Sequence, residues 1–360
     1  MPGTGRFGFV LHPLSKADLG RRYPLVGLLP EGLVRLITSR MRPRPLSHIT
    51  GVRSKTGAEA EGWFVACPLL PSQLLSGDSG LAVERVAEAV RVAADLGAGI
   101  VGLGAFTAIV GNKGEEVARR ADVAVTTGNT YTVAVALQGT ERACELMGRG
   151  LGESRAAVMG ATGSIGRACS ILLARRVPEL VLVGRNRGRL ERVAAEAKEC
   201  GGTARIEVST DPDSSLPTAD VVVTVTSALD AVIKPEHLKP GAVVCDVARP
   251  RDVAREVARA RDDVLVIEGG LVEVPGEVDF GFDLGLPPRV TYACIAEAMI
   301  LALEGRYENY SLGPDLDVGK VEEISRLAEK HGFRLAGLRS FERALTEEEV
   351  ARIRERAEGR

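Results

Sequence analysis

The sequence predicts an α/β fold: a doubly wound parallel sheet, with an N-terminal α/β domain before it and C-terminal helices after it. Three observations carry this. Short apolar runs alternate with longer stretches of helical period through most of the chain. The sharpest junction, Ala156 to Arg176, reads strand, glycine turn, helix. The 360 residues, 45% hydrophobic and 26% charged, suffice for two domains of ordinary globular composition. The expected division is an N-terminal α/β substrate domain over 1–150, a dinucleotide-binding domain over 151–285, and C-terminal helices over 286–360 that return to the cleft.

Residues 5–12 read as a first strand because Phe7, Phe9 and Leu11 alternate with smaller neighbours. Tyr23 to Arg40 reads as helical in pieces, and residues 48–67 as a hairpin turning near Thr56-Gly57. Leu81 to Leu96 is an amphipathic helix, with Val83, Val86, Ala87, Val90 and Ala94 at helical spacing and Glu84, Arg85, Glu88 and Arg91 outside. Gly97 and Gly99 stop it. Ile100 to Leu103 is a buried strand, and Gly104 to Thr107 is the loop at its end, where sites on α/β sheets gather. Val123 to Thr126 is the next strand, with Thr127-Gly128-Asn129 as the turn and N-cap of a helix running through Met147.

The apolar run Ala156 to Met159 stops at Gly160-Ala161-Thr162-Gly163-Ser164-Ile165-Gly166, and a helix with Ile165, Cys169, Leu172 and Leu173 on one face follows. Glycines serve such a turn because the backbone bends tightly, approaches a pyrophosphate without a Cβ in the way, and packs the helix on the strand. The helix N-terminus offers free N–H groups to the phosphates. A glycine triplet alone is a weak signal. The context strengthens it: Leu180 to Val183 is a second strand, Gly184-Arg185-Asn186-Arg187 its turn, and Leu190 to Ala197 a second helix. Gly160, Thr162, Gly163, Ser164, Ile165 and Gly166 are therefore the expected dinucleotide cradle. An NAD site places Asp or Glu roughly 20 residues past the glycines, on the ribose 2′-hydroxyl. Here Arg185, Asn186 and Arg187 occupy that stretch, which suits a 2′-phosphate, so the expected cofactor is NADP(H). Arg189 reads as the solvated start of a helix.

Ala204 to Val208, Asp220 to Val225, Ala242 to Asp246 and Val264 to Ile267 complete six parallel strands with right-handed crossovers. Thr226, at the end of the fourth, is expected beside the nicotinamide ribose. Val272 to Pro288 reads as loop, and Val290 to Leu303, Asp317 to His331 and Thr346 to Ala357 as helices.

A net charge of −2 argues against wholesale nucleic-acid binding. No apolar run has the length of a membrane span and the N-terminus does not read as a signal peptide, so a cytoplasmic protein is expected. Cys67, Cys144, Cys169, Cys200, Cys245 and Cys294 are scattered without a CxxC pair, so neither a disulfide framework nor a metal site is expected. Cys169 and Cys245 read as small core residues. From Gly32 to Ala58 there is no acidic residue, while Arg35, Arg40, Arg42, Arg44, Arg53 and Lys55 fall there, a local positive patch that is either solvated or a docking face for an acidic partner.

Cys294 follows Leu286-Pro287-Pro288-Arg289 and falls near the first turn of a helix, where unpaired N–H groups and the helix dipole favour a nucleophilic thiolate. Glu297, three residues on, either assists proton transfer or steadies the first turn through the dipole. His12 either orients substrate or is a structural group, and Asn129 either touches substrate or caps its helix.

Several segments, in order, belong to one known pattern: Phe7 to His12, Leu103 to Val110, Thr126-Thr127-Gly128-Asn129-Thr130, Gly160 to Gly166, Gly184 to Leu190, Tyr292-Ala293-Cys294-Ile295-Ala296-Glu297-Ala298, Leu303-Glu304-Gly305 and Lys330-His331-Gly332-Phe333. In these the chain resembles the long-chain acyl-[acyl carrier protein] reductases found in cyanobacteria, which convert fatty acyl thioesters to aldehydes. The family's nucleophilic cysteine, in its Ala-Cys-Phe-Ala-Glu-Ala motif, falls on Cys294, with Ile295 in place of the phenylalanine. Residues 13–47 match the pattern poorly. The resemblance implies NADPH-dependent reduction of a thioester of acyl carrier protein or coenzyme A through a Cys294 acyl-enzyme. Two other readings stand beside it. One is an amino-acid or shikimate dehydrogenase relative, with Lys113 or Asp122 as acid/base; the other is a non-catalytic NADP(H)-binding sensor.

Overall fold

Two six-stranded sheets organise the chain, one in each of two units. The computed structural model describes residues 3–22, 26, 29–75, 79–228, 231–248, 251–341 and 343–359. Residues 23–25 and 27–28 of the segment expected to be helical in pieces lie outside these. Unit 1 comprises Met1–Asn129, Glu273–Pro314 and Glu323–Arg334; unit 2 comprises Thr130–Val272, Asp315–Glu322 and Leu335–Arg360.

In unit 1, β1 (Gly5–Leu11), β2 (Arg44–Arg53), β3 (Glu59–Ala66), β4 (Ile100–Leu103) and β5 (Ala124–Thr126) share a sheet with the strand Gly276–Asp279. Its order is Gly276–Asp279, β2, β3, β1, β4, β5. β1 pairs in parallel with β3 and β4, and β4 with β5, while the β2–β3 hairpin is antiparallel. The hairpin closes at Ser54–Ala58, around the expected Thr56-Gly57. Alternation in β1 sends its side chains to two faces. Val10, with Val65 and Val101, meets Val83, Val86 and Val90 of the helix Ser79–Asp95 in one fully buried cluster. The side of Phe9 receives the helix Ala293–Leu303, whose Ala298 lies against Gly102 and the Phe9 ring.

Two expectations fail here, for related reasons. Gly276–Asp279, expected as loop, is an edge strand paired antiparallel to β2. Val290–Tyr292, expected as the start of a helix, is extended, and the helix begins at Ala293. Each is too short to show a period and is defined by pairing, Gly276–Asp279 with β2 and Val290–Tyr292 with the strand Leu271–Glu273.

In unit 2, β6 (Arg155–Met159), β7 (Glu179–Val183), β8 (Arg205–Ser209), β9 (Val221–Thr224), β10 (Val243–Asp246) and β11 (Leu265–Glu268) form one sheet in the order β11-β10-β9-β6-β7-β8. Every pairing is parallel, as expected for a doubly wound sheet. Its central strands are continuous runs of Val, Leu and Ala because helices cover both faces. The C-terminal helix Glu347–Glu358 starts in a capping box, with the Thr346 hydroxyl accepting from Glu349 N–H at 3.2 Å and the Glu349 carboxylate accepting from Thr346 N–H at 2.9 Å. No helix among the described residues is long and apolar enough to cross a membrane.

Candidate active site and dinucleotide cradle

Cys294 is the second residue of the helix Ala293–Leu303. Every other residue of that helix is buried, and Cys294 alone is partly exposed. Tyr292, extended at φ −75° and ψ 143°, precedes the helix without a side-chain cap hydrogen bond. The turn after β5 presses on the cysteine. Gly128 has φ +72°, and a Cβ there would lie 2.2 Å from Cys294 Cα and 2.4 Å from its Cβ. Glycine is thus required both by the left-handed backbone and by the contact. Cys67, Cys144 and Cys169 differ in being buried. Burial pushes the Cys67 thiol up to about 11 and that of Cys144 to about 12, and raises Cys169 as well, leaving them inert packing residues.

Beneath Cys294 lies a buried polar knot. Glu297, 0% exposed, accepts at Oε1 from the hydroxyls of Thr126 and, at 2.6 Å, of Ser311. Thr126 Oγ1 in turn accepts from Ser311 N–H at 3.2 Å and from Gly128 N–H at 3.4 Å. The Thr127 hydroxyl donates to the Ser311 carbonyl. A buried carboxylate oxygen left without such donors would cost about 1–3 kcal/mol. The helix after β5 begins at Asn129, so Gly128 holds the cap position expected of Asn129, whose side chain makes no hydrogen bond among the described residues.

His12, at the end of β1, has both ring nitrogens committed: Nε2 accepts from Phe106 N–H at 3.0 Å, and Nδ1 donates to the Pro13 carbonyl at 2.9 Å. Burial lowers its pKa from 6.5 to about 4, against the opposing pull of the Pro13 carbonyl and Asp18. The histidine therefore clasps the loop after β4 in its neutral form. A second clamp was not foreseen from the sequence. His331, 1% exposed, has Nδ1 2.8 Å from the Ser54 hydroxyl and Nε2 2.6 Å from Glu304, and Glu304 also binds Lys330. The order of groups is that of a hydrolytic relay, but Ser54 is 3% exposed inside the hairpin turn, so the arrangement ties β2–β3 to two helices. Burial lowers the His331 pKa against the opposing pull of Glu304.

Both histidines predict the same acid response. Unfolded imidazoles take up protons near pH 6.5 while the folded ones resist, so the unfolded chain binds more protons as pH falls from 6.5 toward about 4. Stability present above that window should be lost within it, by up to about 3 kcal/mol for His12. The expected result is a melting temperature that falls between pH 7 and pH 4.5, less steeply in His12→Gln; a flat wild-type profile would contradict it.

The glycine loop of unit 2 connects β6 to the helix Ser164–Leu173, with Gly163 at its cap position and no side-chain cap. Gly160 has φ +83° and would place a Cβ 2.5 Å from the Val225 carbonyl oxygen; Gly166 would place one 2.2 Å from that of Gly160. Thr162, Gly163 and Ile165 are partly exposed and Ser164 is buried. The loop lies at the carboxyl end of β6, between β7 and β9, where the strand order reverses. Uncapped N–H groups and glycines that hold the backbone bare fit a pyrophosphate.

The neighbouring residues divide. Arg185, exposed at the end of β7, makes no hydrogen bond or ion pair with any described residue. Asn186 caps the helix Arg187–Glu199, its Oδ1 accepting from Arg189 N–H at 3.0 Å, and Arg187 pairs with Glu191 at 3.1 Å. Thr226, two residues past β9, donates its N–H at 2.7 Å and its hydroxyl to Asp252, which is fully buried and also accepts from the Thr224 hydroxyl at 2.6 Å. Asp252 was not foreseen: nothing in the local pattern marks it, and 26 residues separate it from Thr226.

A doubly wound parallel sheet with a glycine turn at its switch point is the architecture of a dinucleotide-binding domain. Residues 141–268 match the shikimate/quinate 5-dehydrogenase family, a stretch wholly within unit 2. Over 345 residues the chain is 32% identical to the long-chain acyl-[acyl-carrier-protein] reductase of Synechococcus elongatus, covering 91% of this chain and 98% of that one. The chain belongs to that reductase's family. It is also 34% identical to the aminotransferase PigE of a Serratia species, covering 97% of this chain but spanning only 42% of PigE's length. Among solved structures, quinate dehydrogenase from Corynebacterium glutamicum in complex with NAD is 13% identical, with a TM-score of 0.41 over 90% of this chain and 99% of that one.

Proposed function

We propose that the protein is a cytoplasmic, NADPH-dependent reductase that converts a fatty acyl thioester, carried by acyl carrier protein or coenzyme A, to the aldehyde through an acyl-enzyme on Cys294. One observation carries the reading: Cys294 is the single accessible residue of a buried helix, at its N-terminal end. The full-length similarity to the Synechococcus elongatus reductase supports it. Cys294 Sγ attacks the thioester carbonyl, and the tetrahedral adduct expels the carrier thiol, leaving the acyl group on the enzyme. Gly160 to Gly166 would hold the pyrophosphate and Arg185 the 2′-phosphate of the cofactor. A cofactor bound there would supply the hydride that reduces the acyl carbonyl, leaving a hemithioacetal on Cys294. Its collapse frees the aldehyde and returns the thiol.

The test is NADPH oxidation against panels of acyl carrier protein thioesters, acyl-CoA and hydroxy acids, with aldehyde detected directly. Thioesters should yield aldehyde. Oxidation of a hydroxy acid by NADP+ with no aldehyde from any thioester would favour the dehydrogenase reading instead.

The carrier reading adds a prediction. Arg35, Arg40, Arg42 and Arg44 are all exposed, as is Arg53, which also pairs with Glu59 at 2.6 Å. An acidic carrier protein docking there would be steered by these charges. Reversing Arg42 and Arg44 to Glu should raise KM for the acyl carrier protein substrate about tenfold and leave acyl-CoA turnover nearly unchanged. An unaltered KM would remove this face from the account.

A further inference from the structure

We propose that Glu297 is a positioning residue for Cys294, acting through Thr126 to hold the Gly128 turn against the cysteine, and is not the proton donor of the reaction. The inference rests on Cys294 being the nucleophile. Its basis is the direction of the hydrogen bonds. Thr126 Oγ1 already receives two backbone N–H groups, from Gly128 and Ser311, so its own proton must go outward, and Glu297 Oε1 takes it. Ser311 Oγ donates to the same oxygen at 2.6 Å. Oε1 therefore serves as the acceptor that anchors both hydroxyls, and the side chain is 0% exposed, away from any substrate in solvent.

The same bonds define a mechanical path. Glu297 fixes the Thr126 hydroxyl, that hydroxyl fixes the Gly128 N–H, and Gly128 touches Cys294 at the Cα and Cβ. Glu297 itself is one helical turn beyond Cys294, so the turn and the helix are joined at two points, at Cys294 and at Glu297. A thiol displaced by about an ångström loses on the order of a hundredfold in attack rate.

What matters in this scheme is an acceptor oxygen at 297 and a hydroxyl at 126, and that separates it from acid catalysis. Single-turnover acylation of Cys294 by a long-chain acyl-CoA, without NADPH, is measured by mass spectrometry in wild type, Glu297→Gln, Glu297→Met, Thr126→Ser and Thr126→Val, with melting temperatures and NADPH binding as controls on folding. Aldehyde turnover is followed in parallel. Glu297→Gln and Thr126→Ser, which keep the acceptor and the donor, should stay within about threefold of wild type in both assays. Glu297→Met and Thr126→Val should each slow acylation about 10- to 100-fold with KM little changed, and the double variant Glu297→Met/Thr126→Val should be no slower than the slower single one. Glu297→Gln as impaired as Glu297→Met in aldehyde turnover would make the carboxyl a proton donor and overturn the proposal. Thr126→Val acylating at the wild-type rate would overturn it while leaving Cys294 as nucleophile. A wild type never acylated at Cys294 would remove the reaction scheme and the proposal with it.

Discussion

Cys294→Ala should abolish aldehyde formation, by about 10⁴-fold or more, while NADPH still binds. The size follows from the role: without the thiol no acyl-enzyme forms, and removing a covalent nucleophile costs that order of rate in comparable enzymes. Loss of structure does not account for it. Cys294 is partly exposed at the second helical position, where alanine is the better helix former, so stability should change by no more than about 0.5 kcal/mol. The residues proposed to hold the cofactor, Gly160 to Gly166 and Arg185, belong to unit 2 and are untouched by the substitution. Stopped-assay aldehyde detection with NADPH fluorescence titration on the same sample checks both halves. Aldehyde production at a substantial fraction of the wild-type rate would mean that hydride reaches the carrier thioester directly.

Arg185→Asp should lower kcat/KM for NADPH by about 10- to 150-fold, with NADH far less affected. A hydrogen bond to a charged group is worth about 1.5–3 kcal/mol, and the new carboxylate adds repulsion toward the 2′-phosphate. The structure ranks the arginines. Arg185 is uncommitted to any described residue, whereas Arg187 is engaged with Glu191 and Asn186 caps its helix. Arg187→Ala should therefore change the preference much less. The ratio of kcat/KM for the two cofactors in wild type and both variants measures this. A wild type that uses NADH and NADPH equally would contradict the assignment of Arg185.

The doubly wound sheet was legible because its strands announce themselves. Val221 to Thr224 and Val243 to Asp246 are fully buried, and strands covered on both faces read as continuous apolar runs. Ile100 to Leu103, bounded by glycines, was legible to the residue. Gly276–Asp279 was not, since it is a polar strand alternating between half-buried and exposed positions and exists only because β2 has an edge to offer. The glycine turn after β6 and the helix that carries Cys294 were legible as local structure, but their surroundings were not. Thr126 and Glu297 meet across 171 residues, and Ser311 and Thr126 across 185, so three individually ordinary side chains become a knot only in the folded chain. Arg187 and Asn186 show the opposite case. Their partners, Glu191 and the Arg189 N–H, lie four and three residues away, so the competing local roles were already written in the sequence.

The central claim is that the acyl group rests on Cys294 before it is reduced. Wild-type protein incubated with a long-chain acyl-CoA in the absence of NADPH, then denatured and digested, tests it most directly. The account predicts one acyl mass on the peptide containing Cys294, absent from Cys294→Ala, and its discharge as aldehyde when NADPH is added before denaturation. Aldehyde formed on adding NADPH, from protein that never carries the acyl mass at Cys294, would contradict it.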